Sequence, residues 1–138
     1  MCEQNLVIEG FGMAALVYVV DDEKVIAFTV TAILNQNGFE AIAFIDPLDA
    51  LMAAESRCPD VLLSDVMMPQ LNGVDLGVLF KSIHPTCRVL LFSGNMAASN
   101  LMRDAGLKGH NFDLLAKPIH PTDLVGAIRN LTDGLLCK

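Results

Sequence analysis

Apolar residues along the chain fall into two arrangements: short unbroken runs, and longer stretches where they recur every third or fourth position. An unbroken run closed by turn residues reads as a strand buried on both faces, and the three-four recurrence as a helix with one buried face. Ala15 to Val20 is the first run, apolar and β-branched, and predicts a strand. A helix follows from about Glu23 to Asn37, with Ile26, Val30, Ile33 and Leu34 at helical spacing and Gly38 as its stop. Phe39 to Ile45 is the second strand. Asp46-Pro47 then opens a helix, Asp as N-cap and Pro in the first turn. That helix is expected to turn Leu48, Leu51 and Met52 inward and to end before Pro59.

The third run, Val61-Leu-Leu-Ser64, leads straight into Asp65, and a Pro69/Asn72/Gly73 turn follows. A helix of roughly Val74 to Ile83 carries Leu76, Leu79, Phe80 and Ile83 on one face, and His84-Pro85 stops it. Cys87 to Phe92 is the fourth strand, ending in Ser93-Gly94. The helix expected after it, Ala97 to Ala105, is weakly patterned. A stretch from Gly106 to His110 leads to a fifth strand, Asn111 to Ala116, which ends in Lys117-Pro118. The last helix starts at Pro121 and buries Leu124, Ile128 and Leu131.

Five strands alternating with five helices call for a parallel sheet with right-handed crossovers. The expected fold is α/β, a doubly wound, flavodoxin-like sheet of order 2-1-3-4-5. Without repeat or linker, residues 15–138 read as one domain and residues 1–14 as an N-terminal extension.

Composition narrows the function classes. The 138 residues carry a formal charge of -7 and only 18% charged side chains. A general nucleic-acid binder would present a basic face, so direct nucleic-acid binding is not expected. Cys2, Cys58, Cys87 and Cys137 are scattered without a CxxC pair, which suits thiols in a reducing compartment. With neither an apolar stretch long enough to cross a membrane nor a basic leader, a cytoplasmic location is the expectation.

The chemistry lies just past the strand ends. Strand one delivers Asp21 and Asp22, strand three Asp65, strand four Ser93 and strand five Lys117. In order 2-1-3-4-5 these strands are neighbours, about 4.8 Å apart, so the five groups converge. Taken singly, the acids can serve a helix N-terminus, Ser93 a turn, and Lys117 a solvated surface. Taken jointly, they form a set. Three close carboxylates repel unless a cation joins them, and Mg²⁺ takes carboxylates together with phosphate oxygens. A lysine and a hydroxyl beside a carboxylate are parts that phosphoryl transfer uses.

The set, with the segments around it, resembles the receiver domain of two-component response regulators, the family of the stand-alone chemotaxis regulator. The residues that carry the resemblance are Val19-Val20-Asp21-Asp22-Glu23, Leu62-Leu63-Ser64-Asp65-Val66-Met67-Met68-Pro69 with Asn72-Gly73, Phe92-Ser93-Gly94, and Ala116-Lys117-Pro118. It covers about residues 15 to 133.

The resemblance implies that Asp65 accepts phosphate from a sensor histidine kinase or phosphotransfer protein, and that a conformational switch then regulates a downstream effector. It implies Mg²⁺ held by Asp22, Asp65 and the Met67 backbone carbonyl, with Asp21 acting mainly through water. Ser93 would be the switch hydroxyl, Lys117 the phosphate-pairing lysine, and Lys117-Pro118 a cis bond. Mg²⁺-dependent self-phosphorylation from a phosphodonor and slow self-dephosphorylation, not turnover, are the expected activities.

Two departures concern the switch. Leu114 stands where the family often has an aromatic residue, and the segment before Lys117 is longer than usual by about four residues. A route from Ser93 into the Ala97 to Ala105 helix is the expectation in its place. The rival readings are a pseudo-receiver that docks a partner without phosphate, and an α/β phosphohydrolase. The phosphohydrolase pattern has its nucleophile after the first strand, with a second Asp two residues on; here the candidate nucleophile follows strand three.

Overall fold

Each apolar run of the sequence is a strand in the structure, a computed structural model that describes residues 14–94, 103, 106, 109 and 112–132. The strands are β1 (Leu16–Val20), β2 (Glu40–Phe44), β3 (Val61–Asp65), β4 (Arg88–Ser93) and β5 (Asp113–Ala116). They form one parallel sheet of order β2-β1-β3-β4-β5, as the alternation requires. Among the described residues the helices are α1 (Lys24–Gln36), α2 (Pro47–Ser56), α3 (Gly73–Ile83) and α4 (Pro121–Thr132). The expected helix from Ala97 to Ala105 lies outside the described residues apart from Arg103, and so does nearly all of the N-terminal extension.

Every residue of β1 and β3 is buried, because each face of the sheet has a helical layer. Side chains alternate between the layers. Leu16, Tyr18, Val20, Leu62 and Leu91 pack with Ala50 and Ala54 of α2 and Leu76 and Phe80 of α3. Val17, Val19, Leu63, Leu90 and Phe92 face Val30 and Leu34 of α1 and Leu124 and Ile128 of α4. A fully buried Leu or Phe side chain contributes about 2 kcal/mol, so these two layers hold the fold together.

Local signals set the helix ends. Asp46 caps α2 by accepting the Leu48 N–H at 2.9 Å, and Asn72 caps α3 by accepting that of Asp75 at 2.8 Å. Gly38 closes α1 at φ +92°, a conformation that favours glycine.

The inward faces of two helices differ from expectation. In α2, Leu48 is 51% and Met52 67% exposed, while Pro47, Ala50 and Ala54 face the core. The small alanines let the helix lie close on β1 and β2, and at 100° per residue that turns Met52 away. In α3, Gly73, Val74, Leu76, Gly77 and Phe80 are buried, leaving Leu79 partly and Ile83 largely outside. Gly77 explains this orientation, since a Cβ there would sit 2.9 Å from Val89 and 3.1 Å from the Phe112 ring. The helix therefore rests on its glycine side.

Candidate functional site

The carboxyl edge of the sheet gathers the acids. Asp21 follows β1 directly, and its N–H is held at 3.1 Å by the Phe44 carbonyl at the end of β2. Its carboxylate turns back to accept the Glu23 N–H at 2.9 Å, which steers the chain into α1. Asp65 closes β3, between β1 and β4. Asp21 is fully buried and Asp65 nearly so, whereas Asp22 is exposed. Carboxylate oxygens of Asp21, Asp22 and Asp65 all lie within 4.8 Å of one another.

Lys117 reaches into this cluster from the end of β5. Its Nζ is 3.4 Å from Asp21 Oδ2 and 3.3 Å from Asp65 Oδ1, and it lies 4.9 Å from the centre of the Phe92 ring. The Lys117 N–H donates to the Ser93 carbonyl at 3.1 Å, and the Lys117-Pro118 bond is cis, as the resemblance implied. Ser93 is buried at the end of β4, in register with Ala116 of β5. Met67 stands two residues beyond Asp65, with its side chain 43% exposed.

Burial pushes the carboxyls of Asp21 and Asp65 above their ordinary range, more than Lys117 can offset. Burial also works against the charge on Lys117, yet Asp21 and Asp65 outweigh it and hold its pKa above the usual lysine value. At about 4.8 Å two like charges repel by about 3 kcal/mol at an effective dielectric of about 20. One ammonium cannot neutralise three carboxylates. The donor set is all oxygen and carries excess negative charge, which fits a small hard divalent cation such as Mg²⁺.

Sequence reasoning thus placed Asp21, Asp22, Asp65 and Lys117 correctly at one edge, but missed what braces them. A Cβ on Gly73 would lie 2.1 Å from the Asp65 carbonyl oxygen, so only glycine lets the start of α3 press against the end of β3. The Gly73 N–H donates to the Val66 carbonyl at 2.8 Å, and the Ser64 hydroxyl to the Asp65 carbonyl at 2.9 Å. Asn72-Gly73 was visible as a turn signal; its steric role depends on a backbone 8 residues earlier. The Phe92 ring beneath Lys117 was legible as the end of the fourth strand, not as a support for the ammonium.

The chain matches the profile of the response regulator receiver domain over residues 17–129. It is 32% identical over 115 residues to the transcriptional regulatory protein CreB of Escherichia coli, covering 83% of this chain and 49% of that one. It spans about half the length of the curated relatives it first matches. Among solved structures, a response regulator receiver domain protein from Clostridium thermocellum superposes with a TM-score of 0.78 at 28% identity, covering 88% of this chain and 96% of that one. A Francisella response regulator receiver domain gives 0.75 at 27% identity, with 88% and 98% covered.

Proposed function

Because the chain belongs to the receiver domains of two-component response regulators, we propose that it accepts a phosphoryl group on Asp65. The single observation behind this reading is the cluster itself: Asp65, nearly buried, within 4.8 Å of two further carboxylates and 3.3 Å from an ammonium. The donor is a phosphohistidine of a sensor kinase or phosphotransfer protein. An Asp65 carboxylate oxygen attacks phosphorus, the new O–P bond forms as the donor's P–N bond breaks, and the imidazole keeps the electron pair.

Asp21, Asp22, Asp65 and the Met67 backbone carbonyl are the residues that would hold Mg²⁺. When bound, the ion supplies positive charge against the crowded acids and the phosphoryl oxygens. Lys117 pairs a phosphoryl oxygen as a point charge, in exchange for the contact it makes with Asp65. Ser93 offers a hydroxyl donor from the neighbouring strand end. Residues 15–138 form the receiver and residues 1–14 its extension. The domain works by stoichiometric modification and acts on a downstream effector, without turnover.

Leu114 is 43% exposed on β5 and lacks a ring that could follow Ser93 inward. The signal is therefore assigned to Ser93 and the segment from residue 93 to residue 110, most of which lies outside the described residues. Hydrogen exchange there should change with phosphorylation and stay unchanged in Ser93→Ala. The intact mass of the protein with Mg²⁺ and a small phosphodonor tests the central claim. Wild type should gain one phosphoryl group, Asp65→Asn none, and excess chelator should prevent the gain. A phosphorylated Asp65→Asn would overturn the assignment.

A further inference from the structure

Away from the acid cluster, large apolar side chains stand exposed on both α2 and α3. Both helices lie on the same face of the sheet and run against the strand direction, α2 on β1 and β2 and α3 on β3 and β4. Gly77 and Lys81 mark the flank of α3 nearer β5: Gly77 abuts Phe112, and Lys81 Nζ donates to the carbonyls of Pro85 and Cys87 at 3.0 and 2.9 Å. Leu79 and Ile83 are on the opposite flank, turned toward α2. The same helical sense places Leu48, Leu51 and Glu55 on the flank of α2 that faces α3. Leu48 is 51%, Met52 67% and Ile83 60% exposed, so apolar surface stands open along the length of both helices.

The charge around this groove has one sign. Glu55 is exposed on the flank of α2 that faces α3, and Asp75 on the same stripe of α3 as Leu79 and Ile83, while α2 has no basic residue. The basic groups at the helix ends are engaged elsewhere: Lys81 on the carbonyls of Pro85 and Cys87, and Arg57 on both carboxylate oxygens of Glu40. A groove with an apolar floor and an acidic rim selects against a second copy of a chain with charge -7. It is complementary to an apolar helix flanked by cations.

We infer that the α2–α3 groove is a docking site for an amphipathic helix of a partner protein, its apolar stripe lying on Leu48, Met52, Leu79 and Ile83 and its Lys or Arg residues on the acidic rim. The surface is separate from the phosphoryl site and does not depend on that reading.

The test titrates the full chain with two synthetic helical peptides that share one leucine stripe, one flanked by lysines and the other by glutamates. Binding is followed by backbone amide shifts. The lysine peptide should shift amides of residues 48–55 and 79–83 and bind at least ten-fold more tightly than the glutamate peptide. Met52→Ser with Ile83→Ser should weaken it at least ten-fold, because both side chains are exposed and the fold does not need them. Val25→Ser with Phe28→Ser, on the exposed apolar patch of α1, should leave it unchanged. Equal binding of both peptides, shifts centred elsewhere, or indifference to the Met52/Ile83 pair would overturn the proposal. So would a dimer in sedimentation that Ile83→Ser disperses, which would give the groove to a second copy. Shifts of these amides on removing residues 1–13 would give it to the chain's own N-terminus.

Discussion

The two edges of the sheet follow opposite electrostatic plans. At the amino edge Asp60, Tyr18, Arg57 and Glu40 each meet a fitted partner. Asp60 accepts the Leu16 N–H at 2.8 Å, the Tyr18 hydroxyl donates to the Arg57 carbonyl, and Arg57 forks onto Glu40 at 2.7 and 2.6 Å. At the carboxyl edge three carboxylates cluster, and one ammonium reaches two of them, at 3.3 and 3.4 Å, longer than the 2.7–2.9 Å typical of a charge-assisted bond. The pKa directions record the contrast. Glu40 is held below the ordinary glutamate range by its bond to Arg57, whereas burial holds Asp21 and Asp65 above theirs. One edge is balanced as folded; the other keeps an excess of negative charge.

Substitutions should break this contrast in a graded way. The largest effect is expected from Gly73→Ala, whose Cβ would stand 2.1 Å from the Asp65 carbonyl oxygen. That atom is backbone and cannot swing aside, so α3 must lift from β3. We expect a loss of about 3 kcal/mol, or on the order of 10 °C in Tm. A thermal melt within about 2 °C of wild type would refute the steric account.

Tyr18→Phe comes next and tests the amino edge. The ring keeps its packing against Phe44 and Phe80, but the buried hydroxyl and its bond to Arg57 disappear. A loss of about 1 kcal/mol in urea unfolding is expected. Asp65→Asn should move the other way, because it removes a buried charge from a cluster that has too many. In excess chelator we expect a gain of about 1 kcal/mol. Destabilisation there would mean that Lys117 already balances the site.

Glu40→Gln should have the smallest effect, below about 1 kcal/mol, because both partners are about half exposed and screened by solvent. A carboxylate with a depressed folded pKa stabilises above its unfolded pKa, and that stability is lost as the pH falls through the folded value. The difference between wild type and Glu40→Gln should accordingly be present at pH 7 and vanish below the ordinary glutamate range. A difference that persists in strong acid would assign it to packing.

The same contrast explains what could be read from the chain. The strands, their order and the four charged site residues were legible because apolar runs ending in Asp, Ser or Lys leave few arrangements. Burial within α2 was legible only in part: Leu51 packs against the core as expected, whereas Leu48 and Met52 stand exposed. These residues and the alanines Ala50 and Ala54 all fit helical spacing, and hydrophobicity alone favours the larger side chains. The choice falls to how closely the helix approaches the sheet, which alanines permit and leucines prevent. Gly73 and Gly77 were hidden for a related reason, since each is needed by an atom contributed from another element.

Lys117 sits at the end of a strand whose own hold is slight. β5 spans four residues at the edge of the sheet, pairs with β4, and is mostly exposed, unlike the wholly buried β1 and β3. Edge segments with little buried surface open at a lower free energy than the core. Each opening of β5 would withdraw the ammonium that joins Asp21, Asp65 and the Phe92 ring. The amide exchange of Leu114 to Ala116 and the charge balance at the acids are thus one equilibrium seen from two sides. Any anion that recruits Lys117 should slow that exchange by the factor with which it prefers the closed strand.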